Sequence, residues 1–113
     1  MKSWNEIKMD HISETTIYKL LSDDLRLKIV KMLIKSNMNV SEIIERCGRD
    51  QPLISHKLKE LRENGILISY RSGKNIVYRV SDPYIKKIID TVEAASLRIK
   101  QECKYVECNG DKS

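Results

Sequence analysis

The sequence predicts a mostly α-helical chain with a small β-hairpin, an α+β fold of order α-α-α-α-β-β-α. Two observations carry this. Apolar residues recur at three- and four-residue steps up to Leu61 and again after Pro83, the period of helices with one buried face. Between them, residues 66–80 change to two short runs rich in β-branched and aromatic residues. These flank Arg71-Ser72-Gly73-Lys74-Asn75, which is turn chemistry.

The elements follow in order. Residues 1–13 form an N-terminal arm of weak periodicity. From Ser13, Ile17, Leu20 and Leu21 repeat at helical spacing, and Ser22-Asp23-Asp24 interrupts with residues that cap helices. A second helix runs from about Asp24 to Ser36, apolar over so broad a face that it is expected to be central. Asn37-Met38-Asn39 reads as a break. Ser41 is the expected cap of a short third helix, which Gly48 stops. Asp50 is the expected cap of a fourth, with Pro52 in its first turn, where a missing N–H is tolerated. Ile54, Leu58 and Leu61, at i, i+4 and i+7, form its inward stripe, and Asn64-Gly65 ends it. Residues 66–80 are the hairpin. A last helix, residues 83–105, repeats Ile85, Ile88, Ile89, Val92, Ala95 and Ile99. Residues 106–113 are a polar tail.

The composition narrows the function. A chain of 113 residues suits a single domain, and 41% hydrophobic with 33% charged residues is the balance of a soluble globular protein. No apolar run approaches the roughly 20 residues of a membrane span, and Met1 to Glu6 has no apolar signal core, so a cytoplasmic location is expected. Cys47, Cys103 and Cys108 are an odd set without a Cys-x-x-Cys pair, which argues for reduced thiols over a disulfide scaffold. No Ser/His/Asp or Cys/His set, Gly-rich phosphate loop or cluster of metal ligands is visible, so the chain does not read as an enzyme.

The charge is concentrated. The net charge is +5, and residues 46–79 alone hold eight Lys and Arg against three Asp and Glu, a net of +5. A basic middle on a balanced scaffold implies a polyanionic partner. Two short helices joined by a Gly-containing turn, the second one basic, form a helix-turn-helix at residues 40–65, and the hairpin at 66–80 is its wing. With Ile54, Leu58 and Leu61 inward, the outward residues are Gln51, Leu53, Ser55, His56, Lys59 and Arg62. Gln51, Ser55 and His56 lie where base contacts concentrate, and Lys59 and Arg62 suit phosphates. Arg71, Lys74 and Asn75 form a polar, basic hairpin tip for backbone or minor groove. The competing class is a winged-helix module that docks on protein or RNA, which would present an apolar patch on the fourth helix.

Three segments resemble the ArsR/SmtB family of winged helix-turn-helix transcriptional repressors. Residues 51–67, QPLISHKLKELRENGIL, resemble its recognition helix. Residues 21–30, LSDDLRLKIV, resemble its L-x-D-x-x-R-x-x-I-L segment, and residues 71–80, RSGKNIVYRV, its wing. The resemblance covers about Ile17 to Ile89. It implies a homodimer joined through the first and last helices, which reads an inverted-repeat operator in double-stranded DNA. It also implies repression relieved by a small inducer, often a thiophilic metal or metalloid. The apolar repeat from Ile85 to Ile99 is consistent with such an interface.

The family's metal sites do not carry over. The cysteine segment at the start of the third helix corresponds to Asn37-Met38-Asn39-Val40-Ser41-Glu42-Ile43, which has no cysteine. On the last helix Asp82 remains, but Tyr84, Ala95 and Arg98 occupy the other ligand places. Cys47 falls where the family has a buried leucine and reads as a small apolar filler. Cys103 and Cys108, five apart, can meet on one soft ion or in a disulfide only if the helix ends between them. Relief by a thiophilic ion or by thiol oxidation there, and a regulator with no metal response, both stay open.

Overall fold

A computed structural model describes residues 13–102 of the chain. Helix α1 (Glu14–Leu21) starts where Ser13 accepts a hydrogen bond from the Thr16 backbone N–H. Helix α2 (Asp24–Lys35) starts on Asp23, whose Oδ2 accepts from the Arg26 N–H at 2.9 Å. Ile29, Val30 and Leu33 of α2 are buried, as expected of a central helix.

Two short elements differ from expectation. Met38–Asn39 is a strand, β1, where a break is expected. Helix α3 (Val40–Cys47) is capped by Asn39, not by Ser41. Asn39 Oδ1 accepts from the Glu42 N–H, and the Glu42 carboxylate accepts from the Asn39 N–H, both at 2.9 Å. This reciprocal pair satisfies two donors, where Ser41 would satisfy one. Gly48 ends α3 in the left-handed region, φ 65, which a glycine adopts without a Cβ clash.

Helix α4 (Gln51–Glu63) follows a three-residue turn. Asp50 sits at its N-cap position with extended backbone, but its side chain makes no capping bond. Pro52 takes the second helical position and has no N–H to offer, which removes one of the two usual donors.

Strands β2 (Leu67–Ser72) and β3 (Asn75–Val80) pair antiparallel, and β1 adds to the far side of β3, giving the order β1-β3-β2. Met38 pairs with Tyr78 and Asn39 with Val77. The order among the described residues is therefore α-α-β-α-α-β-β-α. The hairpin is also longer than expected. Ser72 pairs with Asn75, leaving only Gly73-Lys74 as the loop. Gly73 has φ 64 and, among the described residues, no non-glycine residue has positive φ, the combination a type II′ turn requires. Ser81 ties the foot of the hairpin to the end of α4. Its hydroxyl donates to the Gly65 carbonyl at 2.6 Å, and its N–H to the Ile66 carbonyl at 3.0 Å. Ile54, Leu58, Leu61, Ile66, Leu67 and Tyr78 are buried with the α2 residues.

The chain divides into two compact units between Asp82 and Pro83. The second begins with helix α5 (Pro83–Glu102). At about 100° per residue, Ile85, Ile88, Ile89, Val92, Ala95 and Ile99 share one stripe, and the Lys86–Asp90 pair at 2.6 Å lies on the other side. Ile85 and Ile89 are buried and Ile88 half-buried, whereas Val92 is 56% and Ile99 67% exposed. Among the described residues no helix is long and apolar enough to cross a membrane.

Candidate nucleic-acid interface

The apolar stripe of α4 faces inward as its spacing requires. Ile54 and Leu61 are fully buried and Leu58 is nearly so. The opposite face brings Gln51, Ser55, His56, Lys59 and Arg62 to the surface, with Leu53 half-buried at its edge. The face is polar and carries its charge on Lys59 and Arg62. Lys59 is shared at 3.9 Å with Glu63, one turn on. An exposed pair of that kind leaves the ammonium available to another anion.

Two ion pairs fix how α4 sits on α2. The Arg26 guanidinium donates to Glu60 Oε1 at 2.8 Å, and to the carbonyls of Leu20 at 2.8 Å and Lys19 at 3.2 Å. It thus joins the end of α1 and the start of α2 to the C-terminal part of α4. Lys57 Nζ lies 3.5 Å from Asp23 Oδ1. The Arg26 backbone N–H holds the Asp23 carboxyl below its ordinary value; partial burial opposes this, and the Lys57 and Arg26 charges add to it. Glu60 Oε1 also lies 3.7 Å from His56 Nδ1, so the anchor reaches one of the candidate base-reading residues.

These anchors were not legible as such. Lys57 counts toward the basic middle of the sequence, yet it is only 17% exposed and turned to Asp23. The charge that α4 offers outward is therefore smaller than the residue count implies. The partners are 34 positions apart, beyond any local spacing rule.

At the hairpin, Arg71, Lys74 and Asn75 are exposed around the tight loop, as the sequence implies. Tyr70, on β2, accepts a hydrogen bond from Asn37 Nδ2 at 3.1 Å, which ties the wing to the segment before β1. Because Ser81 bonds to Gly65 and Ile66, just past the end of α4, α4 and the wing form one supported surface.

The thiol chemistry is divided. Cys47 is half-buried, and burial raises its pKa while Lys28 and Arg49 pull it partly back. Its Sγ lies 4.0 Å from Met32 Sδ. This is a packed thiol that stays protonated at neutral pH, consistent with a filler. Cys103 and Cys108 lie outside the described residues. At residues 37–43, Glu42 is engaged in the helix cap, and the remaining donors are amide and hydroxyl oxygens and one buried thioether, Met38. That set does not suit a thiophilic ion. Among the described residues no group of three or more His, Cys, Asp or Glu is placed to hold a metal.

A polar, basic helix presented by a buried stripe, with a basic hairpin braced beside it, defines the class as a winged helix-turn-helix transcription regulator. Comparison with known proteins agrees. The profile described as Bacterial regulatory protein, arsR family, matches residues 23–69. An uncharacterized HTH-type transcriptional regulator of Methanocaldococcus jannaschii is 36% identical over 78 residues, covering 68% of this chain and 88% of its own. The HTH-type transcriptional regulator NmtR of Mycobacterium tuberculosis is 31% identical over 70 residues, covering 62% of this chain and 58% of its own, so the match spans little more than half of that relative. Among solved structures, the transcriptional repressor BigR of Xylella fastidiosa superposes with a TM-score of 0.68 at 26% identity, over 84% of this chain and 95% of that one. The chain belongs to the arsR family of bacterial regulatory proteins.

Proposed function

We propose that the protein is a homodimeric, sequence-specific repressor that reads an inverted-repeat operator with one α4 per half-site. The observation that carries this reading is the exposed row Gln51, Ser55 and His56 on the first turns of α4, above a fully buried stripe. Such a helix enters the major groove with its first turns against base edges, while Lys59 and Arg62 meet phosphates. Arg71, Lys74 and Asn75 at the wing tip fit the neighbouring backbone or minor groove. Acting on DNA places the protein in the cytoplasm.

The dimer reading rests on α5. Its stripe leaves Val92, Ala95 and Ile99 exposed in the single chain, and a two-fold pairing of such helices would cover them. Ile85 and Ile89 are already covered and have little area left to give. We place the signal at Cys103 and Cys108, as a thiophilic ion bound by both sulfurs or as oxidation of the pair.

The test is a gel shift with the DNA upstream of the protein's own gene against a shuffled duplex. A preference for the upstream duplex supports the proposal. Equal binding to both, or binding only to RNA or protein, would overturn it.

A further inference from the structure

One face of α2 is turned away from the buried core and lines an open pocket of about 480 Å³ that the DNA-reading surface does not use. The residues that line it, from Asp24 through Lys28 and Lys31 to Lys35, recur at the three- and four-residue steps of a single helical face. Leu27, Met32 and the buried Met38 supply apolar wall. Arg46 lines the pocket from α3. Four cations thus surround an apolar floor, with Asp24 the one acid in the lining.

This composition selects a ligand class. The volume falls in the range of small-molecule sites, and the lining sets three apolar side chains, Leu27, Met32 and Met38, among a majority of polar and charged ones. The cations call for an anionic head, and the thioether and leucine wall for an apolar body. A duplex backbone would leave that concave wall unfilled. We propose that the pocket binds small amphipathic anions, molecules with an apolar body and a carboxylate, sulfonate or phosphate head, and that it serves as an effector site for DNA reading.

The effector role rests on the DNA-binding proposal and on where the pocket lies. Arg46 is the penultimate residue of α3, directly before the turn that leads into α4. Met32, in the pocket wall, lies 4.0 Å from Cys47, the last residue of α3. An occupant that draws Arg46 toward α2 therefore acts on the turn that sets the pitch of α4.

The test uses the fluorescent anion anilinonaphthalene sulfonate as probe, titrated into the full chain without DNA. One probe should bind per chain. Binding should weaken at least about tenfold in a Lys28→Glu/Arg46→Glu variant, since each charge-assisted contact contributes at least that much. Uncharged phenylnaphthylamine should bind about tenfold more weakly than the sulfonate. A Val92→Lys/Ile99→Lys variant controls for the exposed stripe of α5 and should keep the site. Saturating probe should also lower affinity for the preferred duplex at least about fivefold. Absence of binding, or binding lost in the α5 variant but kept in the pocket variant, overturns the site. Pocket binding with unchanged duplex affinity overturns the effector role. The titration needs no DNA, so a chain that prefers no duplex would sink the repressor reading and leave the site itself measurable.

Discussion

The Arg26 guanidinium reaches Glu60 across 2.8 Å and joins α2 to the C-terminal part of α4. Arg26 is only 15% exposed on its side chain, so its charge is held by Glu60 and two backbone carbonyls more than by water. Arg26→Ala should destabilise the fold by about 2–3 kcal/mol, the loss of several bonds to one charged group. Glu60→Gln, which keeps shape and one acceptor, should cost about 1 kcal/mol. Urea unfolding of both variants checks the order. Equal stability of Arg26→Ala and the parent would show that the pair is incidental.

Asp23 gives the protein an acid-sensitive contact. Its folded carboxyl is more acidic than the unfolded one, chiefly because the Arg26 N–H bonds to it. The stabilisation is therefore complete above the unfolded value of about 3.9 and is lost as pH falls through the lower folded value. Asp23→Asn keeps a competent helix cap and removes the titration. It should flatten the fall of stability below about pH 4 while changing neutral stability by less than about 1 kcal/mol. Thermal melts between neutral and acid pH measure this. A variant with an unchanged acid limb would place the sensitive carboxylate elsewhere.

The exposed half of the α5 stripe should hold the dimer. Val92→Lys with Ile99→Lys introduces like charges where the two copies would meet. Sedimentation should show the parent as a dimer and the variant as a monomer of unchanged helix content, with weaker duplex binding. A variant that stays dimeric would move the interface off this face.

Cys103 and Cys108 are proposed to carry the signal. Arsenite, cadmium or an oxidant should release the parent protein from its duplex, and Cys103→Ser/Cys108→Ser should stay bound. Release that persists in the double variant would remove this pair from the mechanism. Cys47 is a poor alternative sensor, because burial keeps its thiol protonated.

What the sequence revealed divides along the range of the interactions. The α4 stripe was readable because Ile54, Leu58 and Leu61 share one local period, and the outward face follows from it by geometry. The cap at Asn39 was also readable. Asn39 with Glu42 three residues on is the capping-box spacing, and Ser41 lacks such a partner at Ile44. Strand β1 was not readable, because two residues carry no period and its pairing with Tyr78 and Val77 joins distant parts of the chain. The ionic anchors failed for the same reason. The α4 period puts Lys59 outward and Lys57 beside the inward stripe, but nothing local names Asp23 as the partner of Lys57.

The central claim is that the outward face of α4 reads base sequence. The most direct measurement is the affinity of the parent and of Ser55→Ala/His56→Ala for the upstream duplex and a shuffled one, at low and physiological salt. The parent should prefer the upstream duplex at both salts and weaken on both duplexes as salt rises. The double variant should lose most of that preference, about 1–3 kcal/mol for each base-reading contact removed. It should keep its melting temperature and its salt slope, because the phosphate contacts of Lys59 and Arg62 remain. A double variant that keeps the parent's preference, or that unfolds at lower temperature because these side chains support the core, would contradict the account.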